Sequence, residues 1–136
     1  GDKNLSYTYS KIKMTPQGWT ESTEYLTSKV NQLDNYNFNT CLLNLYRDGC
    51  DHMSWHCDNE PELGVNPIIA SLSLGEERDF FFRHKKDLAN KVEIKLESGS
   101  LLLMLGKCQD EFHHALPKRK RQNEERVNLT FRKIYK

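Results

Sequence analysis

The chain lacks any stretch approaching the roughly 18 consecutive apolar residues of a membrane-spanning helix, so no contact with a bilayer is expected. It lacks a Cys-x-x-Cys pair: Cys41, Cys50, Cys57 and Cys108 are scattered, a pattern of free thiols rather than of a disulfide framework. Its first ten residues lack the apolar core and small-residue cleavage site of a secretory signal, and the expected address is the nucleus in a eukaryote, otherwise the cytoplasm. It lacks an excess of either charge. With 20 Lys and Arg against 19 Asp and Glu the formal net charge is +1, so any grip on nucleic acid must come from local clusters. Two are present, Arg83 to Lys86 and Lys118 to Arg121. Internal repeats, low-complexity tracts and Gly/Ser linkers are also missing, and 136 residues read as one domain, 1–136, expected to be monomeric.

What is present changes texture once. Thr15-Pro16 reads as a helix cap followed by proline at the first helical position. Trp19, Thr23, Leu26, Val30 and Leu33 then recur at spacings of four and three, which predicts one amphipathic helix over 16–33 with that stripe in the core. From Asn37 onward the apolar residues come in short or alternating runs at 38–46, 67–75, 79–84, 91–96, 100–105, 112–116 and 126–134, separated by turn formers such as Asp48-Gly49, Gly75 and Gly99. Strands that follow one another without intervening helices favour a mostly β double-sheet jelly roll with a supporting N-terminal helix over a wound α/β fold.

His56-Cys57-Asp58 carries a chemical suggestion. On a strand, residues i and i+2 project from one face, so this imidazole and carboxylate can share an ion. A second imidazole from a later strand, His113 or His114, would complete the two-His, one-carboxylate set that leaves open positions on non-haem iron(II). Zinc is the runner-up metal for these donors. His-x-Asp alone is a weak signal.

The C-terminal strand strengthens it. Arg126, Asn128, Thr130 and Arg132 alternate with Val127, Leu129 and Phe131. Two arginines on one inward face are costly unless anions meet them. Over a strand spanning roughly 20 Å, a small dicarboxylate would meet both, and the fork of arginine suits that pairing. Asn44 and Tyr46 share one face of the run 38–46 and are candidate polar contacts to the same ligand.

With these residues in view the chain resembles the AlkB family of nucleic-acid demethylases, and within it the animal-type DNA-repair branch. The resemblance rests on Asn44-Leu45-Tyr46-Arg47-Asp48-Gly49, His56-Cys57-Asp58-Asn59-Glu60, the run Pro67 to Gly75, His114-Ala115-Leu116-Pro117, and Arg126 to Arg132, ordered blocks that cover nearly the whole chain. It implies a double-stranded β-helix and selects His114 over His113 as the distal ligand, beside His56 and Asp58. It further implies that Asn44, Tyr46, Arg126, Asn128 and Arg132 hold 2-oxoglutarate, and that Tyr7, Tyr9 and Glu60 border the base pocket.

The activity so implied uses iron(II), 2-oxoglutarate and dioxygen to demethylate 1-methyladenine and 3-methylcytosine in alkylated DNA, with loss of formaldehyde. An RNA demethylase of the same chemistry and a non-catalytic nucleic-acid-binding module are the alternatives. Arg83 and the two basic runs are expected to meet phosphates. Family members carry an extension ahead of the Tyr-x-Tyr segment that forms part of a lid over the nucleotide, and part of that lid is expected to be missing from these residues.

Overall fold

Alternation from Asn37 onward produces the expected strands, and the computed structural model stacks them as two four-stranded sheets. It describes residues 1–5, 7–9 and 12–135, with the backbone alone at 7–9. In chain order the elements are β1 (Tyr7–Tyr9), β2 (Ile12–Met14), α1 (Glu21–Gln32), β3 (Thr40–Tyr46), β4 (Met53–His56), a 3-10 turn at Pro61–Leu63, β5 (Ile69–Gly75), β6 (Arg78–His84), β7 (Lys91–Leu96), β8 (Leu101–Met104), α2 (Cys108–Glu111), β9 (Phe112–Leu116) and β10 (Arg126–Arg132). The major sheet runs β3-β10-β5-β8 and the minor sheet β4-β9-β6-β7, with β1 and β2 a separate hairpin. Every pairing is antiparallel. This is the double-stranded β-helix expected of the sequence.

The helix departs from expectation at its start. It begins at Glu21, not at Pro16, because Gly18 adopts a left-handed φ of 91° that a helix cannot contain. Thr20 and Thr23 then form a reciprocal capping box, the Thr20 hydroxyl accepting from the Thr23 amide at 3.2 Å and the Thr23 hydroxyl from the Thr20 amide at 3.0 Å. Trp19 therefore precedes the helix and donates its indole N–H to Asp2 at 2.8 Å, and Leu33, the other end of the predicted stripe, is 63% exposed. Only the middle of the stripe, Leu26 and Val30, enters the core.

β10 is the strand on which the site depends. It lies between β3 and β5, with Arg126 opposite Tyr46 and Gly75, and Asn128 opposite Asn44 and Ser73. Its outer face buries Leu129 and Phe131 against Val30 of α1 and Phe38, each such burial contributing about 1.5–3 kcal/mol. Its inner face carries the polar residues towards the minor sheet, where Tyr46 packs with Phe80, Leu96 and Leu116. Both faces are thus covered, so the position of the inner side chains is fixed by the apolar packing of the outer ones.

All four cysteines are free thiols, as expected. Burial, the largest influence, pushes the Cys41 thiol up to about 11, while Cys50 is exposed. Thiolate is the reactive species, so at pH 8 iodoacetamide is expected to label Cys50 and to spare Cys41 in the folded protein. Peptide mass spectrometry reads the result, and equal labelling of the two would contradict this packing.

Candidate active site

β4 and β9 are neighbours in the minor sheet, and their register sets His56 directly opposite His114. Cross-strand partners project from the same face, and the two imidazole centroids stand 4.2 Å apart, edge to face. The expectation that His56 and Asp58 share a strand face needs correction. His56 is the last residue of β4 and Asp58 lies beyond the strand, yet the chain returns Asp58 to the same point, with Oδ1 3.6 Å from His56 Nε2. One donor atom from each of His56, Asp58 and His114 lies within 4.8 Å of the others. His113 faces the opposite side, paired in register with Arg83.

The protonation states suit a cation. His56 Nδ1 lies 2.8 Å from the Ser54 carbonyl, which can only accept, so Nδ1 donates there and Nε2 faces Asp58. His114 is 3% exposed and stacked on Phe80, and burial, followed by the neighbouring His56, lowers its pKa to about 4, leaving it a neutral donor. Burial works against ionisation of Asp58, which is 1% exposed, but Arg132 and the two imidazoles outweigh it and hold the carboxyl below its ordinary value. Arg132 donates to Asp58 Oδ2 from Nε at 3.0 Å and from Nη2 at 2.7 Å. Oδ1 is buried without a hydrogen-bond partner. Two imidazoles, one carboxylate and an unmet buried oxygen fit a divalent metal ion.

The same cavity is lined by Asn44, Tyr46, Arg126, Asn128 and Arg132 together with the three candidate ligands. Arg126 is 2% exposed. Its Nη2 donates to Ser73 Oγ and Asn128 Oδ1, both at 2.9 Å, and its guanidinium lies 5.2 Å over the Tyr46 ring. Among the described residues no carboxylate pairs with it, and its Nε is buried without a partner. Asn128 also accepts from Ser71 Oγ at 2.8 Å and donates to Thr130 Oγ1 at 2.7 Å, which fixes its carboxamide. The two arginines of β10 therefore differ: Arg132 is bonded to a metal-ligand candidate, and Arg126 is a buried cation surrounded by neutral groups, the condition of an anion site.

The family profile described as the 2OG-Fe(II) oxygenase superfamily matches residues 1–132. The chain belongs to the 2OG-Fe(II) oxygenase superfamily. The DNA oxidative demethylase ALKBH2 of Mus musculus is 43% identical to it over 141 residues, covering 98% of this chain and 59% of that protein. ALKBH2 of Homo sapiens is 41% identical, covering 98% and 54%. The alpha-ketoglutarate-dependent dioxygenase alkB homolog 3 of Rattus norvegicus is 41% identical over 140 residues, covering 96% and 48%. These relatives put the chain in the AlkB family, on its animal-type branch. The solved structure of OsALKBH1 matches with a TM-score of 0.59 at 24% identity, over 82% of this chain and 58% of that one, which is a likeness of fold. The chain spans about half the length of the curated relatives it matches.

Other predicted residues of this superfamily member lie further out. Glu60 caps the 3-10 turn, half-buried, with Oε2 lacking a partner and its pKa raised chiefly by burial. Arg83 is on the outer face of the minor sheet, its guanidinium 4.3 Å over Trp55, away from the cavity. In the basic runs, Lys85 donates to the Gln109 carbonyl at 2.7 Å and Arg119 forms an ion pair with Asp79. Tyr7 and Tyr9 are in β1, but their side chains lie outside the described residues.

Two site residues escaped the sequence reading. Arg78, 1% exposed, donates to the carbonyls of Asp48, Asp51 and Pro117 and so ties together the loops behind Tyr46. Gln109 accepts from the backbone amide of Asp58 at 2.9 Å. An arginine at the head of a predicted strand was a possible signal for the first; the second had none.

Proposed function

We propose that this chain catalyses the iron(II)- and 2-oxoglutarate-dependent oxidative demethylation of N-alkylated bases, 1-methyladenine and 3-methylcytosine, in DNA, with release of formaldehyde. One observation carries the reading: His56, Asp58 and His114 converge in the cavity that also holds Arg126, a buried cation without a carboxylate partner. The names of the ALKBH2 relatives supply the substrate class.

Iron(II) and 2-oxoglutarate, when bound, supply the power to activate dioxygen towards an N-methyl C–H bond. The chain's own part is binding, orientation and exclusion of water. His56 and His114 present imidazole nitrogens, and Arg132 keeps Asp58 ionised. Arg126 would pair a carboxylate of the co-substrate, with Asn44 and Tyr46 lining the same cavity. Met53, Phe80 and Leu116 make the apolar wall. Glu60 has an unmet buried oxygen, and a base made cationic by N-methylation would supply its counter-charge. Such bases pair poorly, which lowers the cost of drawing one out of a duplex.

The test incubates the protein with iron(II), ascorbate and 2-oxoglutarate against oligonucleotides bearing each methylated base, as single- and double-stranded DNA and as RNA, and follows methyl loss by mass spectrometry. Methyl loss from DNA is expected. Turnover confined to RNA would move the assignment to an RNA demethylase, and retained 2-oxoglutarate with no turnover on any strand would make the chain a binding module.

A further inference from the structure

Asp58 is gripped twice, and the second grip has no part in the chemistry above. Its carboxylate is held by Arg132, while its backbone N–H is held by the side chain of Gln109, whose Oε1 accepts at 2.9 Å. Gln109 is 1% exposed and belongs to α2, the single helical turn that runs directly into β9 and hence into His114. Its carboxamide N–H₂ faces Met104 Sδ at 3.5 Å, which fixes which end of the amide points at Asp58. Gln109 therefore bridges the segment that carries the carboxylate and the segment that carries the distal imidazole.

The turn is itself tied down from outside. Lys85 donates through Nζ to the Gln109 carbonyl at 2.7 Å and through its backbone amide to the Glu111 carbonyl at 2.8 Å. A cation on the last carbonyls of a helical turn is well placed electrostatically. Lys85 lies in the first basic run, between β6 and β7.

We propose that Gln109 is a positioning residue for the metal centre and that Lys85 is its anchor, so that the β6–β7 loop and the metal ligands form one mechanical unit. The proposal rests on reading His56, Asp58 and His114 as the metal site. Groups that orient metal ligands characteristically change metal affinity by about 10–100-fold when removed. Gln109→Met keeps the length and volume but deletes the acceptor. Lys85→Met keeps the stem and deletes the anchor, and Lys86→Met, at an exposed neighbour, is the control.

Calorimetric titration of each apo protein with Mn(II), without DNA, is paired with its melting temperature. Gln109→Met is expected to bind Mn(II) about 10–100-fold more weakly while still folding, with a melting temperature lowered by the loss of one buried hydrogen bond. Lys85→Met is expected to bind more weakly than Lys86→Met, an ordering that a purely phosphate-binding lysine would not produce. Parent-like affinity in Gln109→Met overturns the proposal. Should that variant fail to fold, equal affinity in the Lys85→Met and Lys86→Met proteins overturns it instead. A parent protein that binds no Mn(II) removes the metal-site reading and the proposal with it, whereas a binding parent with indifferent variants removes the proposal alone.

Discussion

Replacing Arg126 by methionine is expected to raise the KM for 2-oxoglutarate by about 100-fold, equivalent to roughly 2.7 kcal/mol, while leaving the apo protein as stable as its parent or more so. The two halves of this result have one cause. Arg126 is buried, its partners Ser73 and Asn128 are neutral, and burial holds its pKa below the ordinary value. A buried cation without an anion costs stability, and methionine removes that cost at similar volume. The same lack of an anion gives an incoming carboxylate its counterpart, so the variant loses the co-substrate. Calorimetry with 2-oxoglutarate on the Mn(II)-loaded protein and thermal melting of the apo form check the two halves. Normal co-substrate affinity would transfer the carboxylate to another group.

Asp58→Ala is expected to behave in the opposite way, losing turnover by at least about 1,000-fold and destabilising the apo fold by about 3–5 kcal/mol. Here the deleted group is the anion of a buried pair, and Arg132 stays behind. Adding Arg132→Met should recover part of the stability and none of the metal binding, a cycle that separates the two roles of the carboxylate. The sign with pH follows from the depressed carboxyl. Burial opposes ionisation, but Arg132 and the imidazoles prevail, so the pair's stability is present above the unfolded value of 3.8 and is lost only as pH falls through the lower folded value. Denaturant melts of parent and variant against pH should converge at the acid end.

The fold was legible where period-two alternation was strong. The runs at 91–96 and 112–116 coincide with β7 and β9, and β10 ends two residues before the run that predicted it. β4 was absent from the apolar runs because Met-Ser-Trp-His alternates over only four residues, and its pairing shifts register between Met53 and His56. The helix start was misplaced because Thr15-Pro16 imitates a cap, whereas the determining features are the left-handed Gly18 and the Thr20–Thr23 box. Within the candidate site, His56, Asp58 and the arginines, which the structure brings to one cavity, stood out by residue type. The choice between His113 and His114 depends on strand pairing, which a single strand does not encode. Gln109 was invisible because its effect runs from a side chain to a backbone amide 51 positions away.

Two adjacent histidines invite the idea of redundancy, that one might stand in for the other after mutation. The pleat of β9 forbids it. Since neighbours on a strand point to opposite faces, a one-residue deletion inside Phe112–Leu116 would exchange their roles and strip the wall made by Leu116, whereas the same deletion in the loop after Pro117 leaves the frame untouched. Tolerance to insertions and deletions along this segment should therefore change abruptly at the strand boundary.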